Sequence, residues 1–246
     1  MSLKTRIIVY LSILAALTAF AVASAGLGYK IGVFNLQAAF KVLQFGAMAA
    51  MAGAGVAFIA LLVSVIPAPR AIGAVPLIAL ILAASAAATP FAMRHQALKA
   101  PPIHDITTDT VNPPRFVTVL EKRKEGENDT DYAGEEIAIQ QREAYPDIQP
   151  LYLSLNKDAA FAVTLDAISR SGWELQAAAP VEGRIEATAT TFWFGFKDDI
   201  VIRIRQEAAG RSRIDIRSAS RVGMSDLGAN AARIKKLVKK MEEGAS

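Results

Sequence analysis

The chain has no cysteine among its 246 residues. That excludes disulfides, thiolate metal sites and cysteine nucleophiles, and it fits either side of a membrane. It also has no acidic residue before position 100: all 23 Asp and Glu lie beyond it, while the first hundred carry only Lys4, Arg6, Lys30, Lys41, Arg70, Arg94 and Lys99. The rest holds 20 basic against 23 acidic residues, a net charge of −3. The overall charge of +4 therefore belongs to the apolar N-terminal part of the chain, where cations flank hydrophobic runs. No basic domain of the kind that grips a phosphate backbone is present, so nucleic acid is not an expected partner. Histidine is scarce (His95 and His104), and no HExxH, GxSxG or phosphate-cradling glycine loop occurs. Neither a metal site, a cofactor site nor a set of catalytic residues is predicted.

What is present first is apolar length. Ile7 to about Leu27, about Phe45 to Ile66, and Ala71 to about Met93 contain no charged side chain. About 20 apolar residues cross a bilayer, and each central charge costs roughly 2.5–3.5 kcal/mol to insert. Three spans are read, within an anchor covering residues 1–99. Ala23-Ser24-Ala25 resembles a signal cleavage site, but the apolar run is long for a signal core, so an uncleaved helix is preferred. Either way the C-terminal part emerges on the outside of a bacterial inner membrane, in the periplasm. The flanking cations run against this orientation, which rests on the first helix alone. Small residues recur every four positions in the second span (Gly46, Ala50 and Ala54; Ala49, Gly53 and Ala57) and in the third (Ala79, Ala83 and Ala87). They predict close packing within a three-helix bundle rather than a dedicated partner surface. Tyr29, Phe34 and Phe40 read as interfacial aromatics, and Asn35 to Leu43 as a short surface helix.

Residues 100–246 read as a soluble α+β domain. His104 to Pro114 reads as a docked loop, Phe116 to Leu120 as β-prone, and Glu121 to Gly134 as a mobile loop. Leu151 to Leu155 is a strand. Asn156 caps a helix to about Arg170 with Ala160, Val163, Leu165 and Ile168 inward, and Gly172 stops it. Trp173 to Ala178 and Arg184 to Phe196 are strands, the second bent at Gly195. Ile200, Ile202 and Ile204 then alternate with Val201, Arg203 and Arg205, and Ile214 and Ile216 with Arg213, Asp215 and Arg217. Pairing Arg203 with Asp215 keeps both apolar sets on one side and avoids opposing like charges, which predicts a loop over Glu207 to Arg211. A last helix begins near Ser225 or Asp226, with Leu227, Ile234, Leu237 or Val238, and Met241 as its stripe. The expected fold is a curved antiparallel sheet, in β-α-β-β-β-β-α order, packed by two helices.

Four segments, HDITTDTVNPPRF, AYPDIQPL, RIEATATTFWFGFKDDIVIRIR and RIDIRSASRVGMSDLGANAARI, together resemble the bacterial domain-of-unknown-function 1499 family over about residues 101–238. Similar members place a few hydrophobic spans ahead of the domain. The resemblance implies no reaction, cofactor or substrate.

The sharpest candidate site is the polar group Arg217, Ser220, Arg221, Asp226, Asn230 and Arg233. Asp226, Asn230 and Arg233 fall on one helical face, and Arg221 arrives from the preceding strand. The group could clasp a carboxylate or phosphate through paired Arg contacts, or it could be a self-satisfied network that caps the helix and docks it. The second is preferred. Asp198-Asp199 could hold a hard cation but reads as a turn. Phe192, Phe194 and Phe196 share a face opposite Ile185 and Trp193, a core, ligand or membrane signal. A non-enzymatic membrane protein, in contact with lipid and with a membrane-complex partner, is the leading reading. An envelope lipid or glycan hydrolase or transferase, using Arg221, Asp226 and Asn230 with His104, is the alternative, while a dyad of Ser220 with His104 or an Asp has no support at short range.

Overall fold

The computed structural model describes residues 2–65 and 73–245, and the chain divides into two compact units. The first comprises Met1–His95 together with Phe192–Gly195, and the second Gln96–Thr191 together with Phe196–Ser246. The expected end of the second span at Ile66, the start of the third at Ala71, and Arg70 between them lie outside the described residues.

Three helices in the N-terminal part are long and apolar enough to cross a membrane: α1 (Leu3–Lys30), α2 (Leu36–Val65) and α3 (Ala74–Lys99). The small residues explain how α1 and α2 meet. A Cβ added at Gly46 would lie 3.1 Å from the backbone of Ala21 and Val22, and one at Gly53 would lie 2.5 Å from the Thr18 hydroxyl. A Cβ at either position would force its neighbours to shift, so glycine allows the closest approach. The buried stripe draws on both expected rows, with Gly46, Ala50, Gly53 and Ala57 buried and Ala49 exposed. Ala79, Ala83 and Ala87 are buried on α3, and Ala15, Ala57 and Ala79 cluster together. Leu17, Phe20, Phe58, Leu62 and Ile78 point outward, as lipid-facing side chains should. The expected surface helix at Asn35 to Leu43 is instead the opening of α2, whose first turn the Asn35 side chain caps by accepting from Ala38 N at 2.8 Å.

The second unit is α+β. Its strands are β1 (Asp105–Thr107), β2 (Leu151–Leu153), β3 (Glu174–Ala179), β4 (Arg184–Thr190), β5 (Lys197–Gln206) and β6 (Ser212–Ser220). Its helices are α4 (Glu135–Ala144), α5 (Lys157–Arg170) and α6 (Ala229–Ala245). The sheet is antiparallel in the order β1-β6-β5-β4-β3, with β2 also paired to β6. Arg203 pairs with Asp215 and Gln206 with Ser212, which leaves the predicted loop at 207–211. Ile200, Ile202, Ile204, Ile214 and Ile216 form the core with Ile168 of α5 and Ile234, Leu237 and Met241 of α6.

Asn156 caps α5, accepting from Ala159 N at 2.9 Å. Its buried face is rotated from expectation. Phe161, Thr164 and Ala167 join Ala160 and Ile168 inside, while Val163 and Leu165 are half-buried. β4 stops at Thr190, because Thr191 N donates to Phe196 O (2.8 Å) and Phe196 N to the Thr191 hydroxyl (2.8 Å), closing a turn with Gly195 at φ +69°. Phe192, Phe194 and Phe196 therefore do not alternate along a strand.

Four further segments lie outside the expected pattern. The 105–107 stretch of the expected docked loop forms β1. Thr118–Lys122 is a 3₁₀ turn, because the fully buried Glu186 carboxylate gathers the N–H groups of Val117, Thr118 and Val119 at 3.1, 3.1 and 2.9 Å. Helix α4 buries only Ala138 and Gln141, and the Gln141 amide makes a reciprocal pair with the Thr107 backbone (2.9 and 2.7 Å). The expected mobile loop is tied down. The backbone N–H of Asn128 donates to Arg221 O (2.7 Å) and its side chain to Ser220 O (3.0 Å) and Gly223 O (2.8 Å).

Candidate functional site

Strand alternation divides the predicted polar group between the two faces of the sheet. In β6, Ser218 and Ser220 point the same way as Ile214 and Ile216, toward α6. Arg217, and Arg221 just past the strand end, point the other way, where Phe116, Val119, Val201 and Ala219 form a second small core.

On the α6 side the hub is Asn230, which is fully buried. Its Oδ1 accepts from the Ser218 hydroxyl (2.6 Å) and from Arg233, and its Nδ2 donates to Ser220 Oγ and to His104 O, both at 2.9 Å. Arg233 also reaches Asp198 and donates to Ser218 Oγ (3.1 Å). Asp226 lies ahead of α6 rather than in it, because Leu227 (φ 55°) and Gly228 (φ 82°) turn the chain before the helix starts. It accepts from Gly228 N (2.8 Å) and Asn230 N (2.6 Å). Burial pushes its carboxyl above the usual value, outweighing those two hydrogen bonds, and the nearby Asp198 charge adds to the rise.

On the opposite side the buried cations each have a carboxylate. Arg217 grips Asp105 (Nε–Oδ1 3.0 Å, Nη2–Oδ2 2.6 Å), donates to the carbonyls of Pro114 and Thr130, and lies over the rings of Phe116 and Tyr132 at 4.8 and 5.6 Å. Burial, with the Asp105 charge, holds the Tyr132 phenol up at about 12. Arg221 meets Asp199 through two bonds (Nε–Oδ2 3.0 Å, Nη2–Oδ1 2.9 Å), and Asp199 also accepts from Arg123 (2.9 Å) and Thr188 (2.9 Å). Further along, Asp215 is fully buried and surrounded by Arg203, Arg205 and Arg213 at 2.8–2.9 Å, with Asp109 reaching in from the 108–112 segment.

Asp198 and Asp199 are thus not a turn. Both lie in β5, point to opposite faces and serve different arginines. Arg221 does not meet Asp226, and Arg217 and Arg221 are separated from the remaining four candidates by the sheet. The period-two signal was available, since 199, 217 and 221 share the parity of Val201 and Arg203. The carboxylates of Asp105 and Asp199 were not predicted as partners, because Asp105 lies 112 positions from Arg217 and no local spacing links them.

Ser220 meets His104 through the His104 carbonyl, which accepts from Ser220 N at 2.9 Å, and not through the imidazole. A cleft of about 330 Å³ beside His104 is lined by Asp105, Asn128, Asp131 and Met224 among others, but by none of Arg221, Asp226 and Asn230. A wider groove of about 590 Å³ runs along α6, with Trp173 and Arg233 joined by Lys236, Lys239 and Lys240. Lys240 is engaged there by Arg170 O and Ser171 Oγ, both at 2.9 Å. Among the described residues, no three His, Asp or Glu side chains gather as metal ligands.

The family model described as protein of unknown function (DUF1499) matches residues 105–241. No curated protein matches the chain.

Proposed function

For a chain that belongs to the DUF1499 family of proteins of unknown function, we propose the role of a non-catalytic binding subunit in a bacterial inner membrane. In this reading residues 1–99 are the anchor and residues 100–246 form a periplasmic domain that associates with a membrane complex. The observation that carries it is how the candidate charges are used. Arg217, Arg221 and Arg233 are each held by a carboxylate, and Asp226 is occupied in capping α6. Groups spent in this way are poor general acids, bases or anion clamps, because freeing one leaves a buried charge behind. Turned outward is the groove along α6, where Lys236 and Lys239 are exposed beside the Trp173 indole and Lys239 lies 4.0 Å from Glu243. That surface suits an acidic partner, with the aromatic ring supplying apolar contact.

The test is purification of the full chain from membranes in mild detergent, followed by native mass spectrometry. A defined companion that is lost on Lys236→Glu with Lys239→Glu supports the reading, and a lone monomer contradicts it. For orientation, an alkaline phosphatase fusion at the C-terminus is expected to be active; an active cytoplasmic reporter at the same place would reverse the assignment.

A further inference from the structure

Four residues that interrupt the β4–β5 connection belong to the first compact unit, and their contacts there are specific. The Trp193 indole N–H donates to Ala23 O at 2.9 Å. Its ring lies directly on α1 at Gly26, where a Cβ would stand 2.5 Å from the indole. Phe194 is buried, edge-on to Trp193 (4.9 Å between centroids) and close to Tyr29 (6.1 Å) and Phe40 (5.9 Å). Lys30 Nζ donates to Phe192 O at 3.1 Å and sits 5.5 Å from the centre of the Phe192 ring. The Phe192 side chain itself is 93% exposed, a large apolar ring fixed by its backbone and presented outward.

The depth of this cluster follows from α1. Its apolar run from Ile7 to Leu27 matches the roughly 20 residues that cross about 30 Å of hydrocarbon at about 1.5 Å per residue. Tyr29 and Lys30 then fall just past one boundary, the level at which aromatic and cationic side chains anchor proteins. Phe192 lies against Lys30 and shares that level.

We propose that Phe192, Trp193, Tyr29 and Lys30 form a lipid-binding clamp, in which the Phe192 ring enters the upper acyl region and the Lys30 ammonium faces the lipid phosphates. The occupant is the bilayer lipid around α1. A hydrophobic ring next to a cation, held at the helix end, matches the two halves of a phospholipid at its headgroup boundary. The inference rests on α1 crossing the bilayer and holds whichever side the helix end faces.

The natural absence of cysteine makes the test direct. Phe192→Cys and, separately, Leu17→Cys are spin-labelled in the full chain, reconstituted in phosphatidylcholine bilayers, and collisions with oxygen and with a water-soluble nickel chelate are compared. The label at 192 is expected at the depth of the upper acyl chain, shielded from nickel but open to oxygen, and the label at 17 at mid-bilayer. If 17 is deep while 192 collides freely with nickel, the clamp is overturned and the span stands. If 17 is also in water, the spanning reading falls and the clamp with it. Shielding of 192 from both reagents would place it in a protein pocket and overturn the lipid assignment. As a check that keeps Phe192, Trp173→Phe leaves Trp193 as the sole tryptophan. Its emission is expected to be quenched more by lipids labelled near the top of the acyl chain than near its end, and absence of quenching would overturn the clamp.

Discussion

Arg203 lies directly across the β5–β6 ladder from Asp215 and donates to one oxygen of its carboxylate twice, from Nε at 3.2 Å and Nη2 at 2.9 Å. Asp215 has no exposed surface, whereas Arg205, which donates to the same oxygen, is 39% exposed. Removal of the buried carboxylate by Asp215→Ala leaves partly buried guanidiniums facing one another and is expected to cost roughly 3–5 kcal/mol. Arg205→Ala is expected to cost about 0–1 kcal/mol, because its charge stays partly solvated. Urea titration of the full chain in detergent, followed by tryptophan emission, separates the two; equal effects would contradict this hierarchy.

Asn230 should be the most sensitive neutral residue on the α6 side. Asn230→Ala takes the amide donor from the Ser220 hydroxyl, the acceptor from the Ser218 hydroxyl and one of two donors from the His104 carbonyl, at about 1–3 kcal/mol for a buried group left unpaired. Asp226→Ala removes only a helix cap, roughly 0.5–2 kcal/mol. Thermal midpoints should therefore fall further for Asn230→Ala, and the reverse order would contradict the hub assignment.

Tyr132 supplies a test by pH. Its phenol has a folded value of about 12, against an ordinary 10.0. Between those values the unfolded chain loses this proton while the folded chain keeps it, so stability falls as pH rises from about 10 to about 12. Ultraviolet titration of the folded protein should show a late-ionising component at about 12 that Tyr132→Phe abolishes, together with a shallower alkaline loss of stability. An unchanged titration curve would contradict the burial of this phenol between Asp105 and Arg217.

The helix pair α1–α2 can be tested through its closest approach. A Cβ at Gly53 falls so near the Thr18 hydroxyl that a cysteine pair at these positions comes within the roughly 3.5–4.5 Å Cβ separation a disulfide needs. Thr18→Cys with Gly53→Cys in this cysteine-free chain should cross-link on mild oxidation, detected by mass spectrometry of the digested protein. Failure to cross-link would contradict the packing.

Sequence alone revealed the features that local pattern controls. The pairing of Arg203 with Asp215 and the 207–211 loop followed from alternation and charge, and Asn156 as a cap followed from its place before an apolar helix. Helix α4 was not legible, because a polar amide pair to Thr107 holds it where an apolar stripe would normally do so. The 3₁₀ turn at 118–122 depends on Glu186, far along the chain, collecting three N–H groups. The candidate site was legible in its residue types but not in its partition. Spacing alone places Asp226, Asn230 and Arg233 on one helical face, although the chain turns at Leu227 and Gly228 before the helix begins. Arg217 and Arg221 found carboxylates that no spacing announces.

The arginines of the candidate site are consumed by internal carboxylates. The decisive measurement is a double-mutant cycle on Arg221 and Asp199 in the full chain. The expected result is a cost of roughly 3–5 kcal/mol for Arg221→Met or Asp199→Leu alone, and a double variant whose cost falls short of their sum by a coupling energy of roughly 2–3 kcal/mol. Strictly additive effects, or an Arg221→Met protein as stable as the parent, would contradict the account and return Arg221 to the list of groups free to bind a ligand.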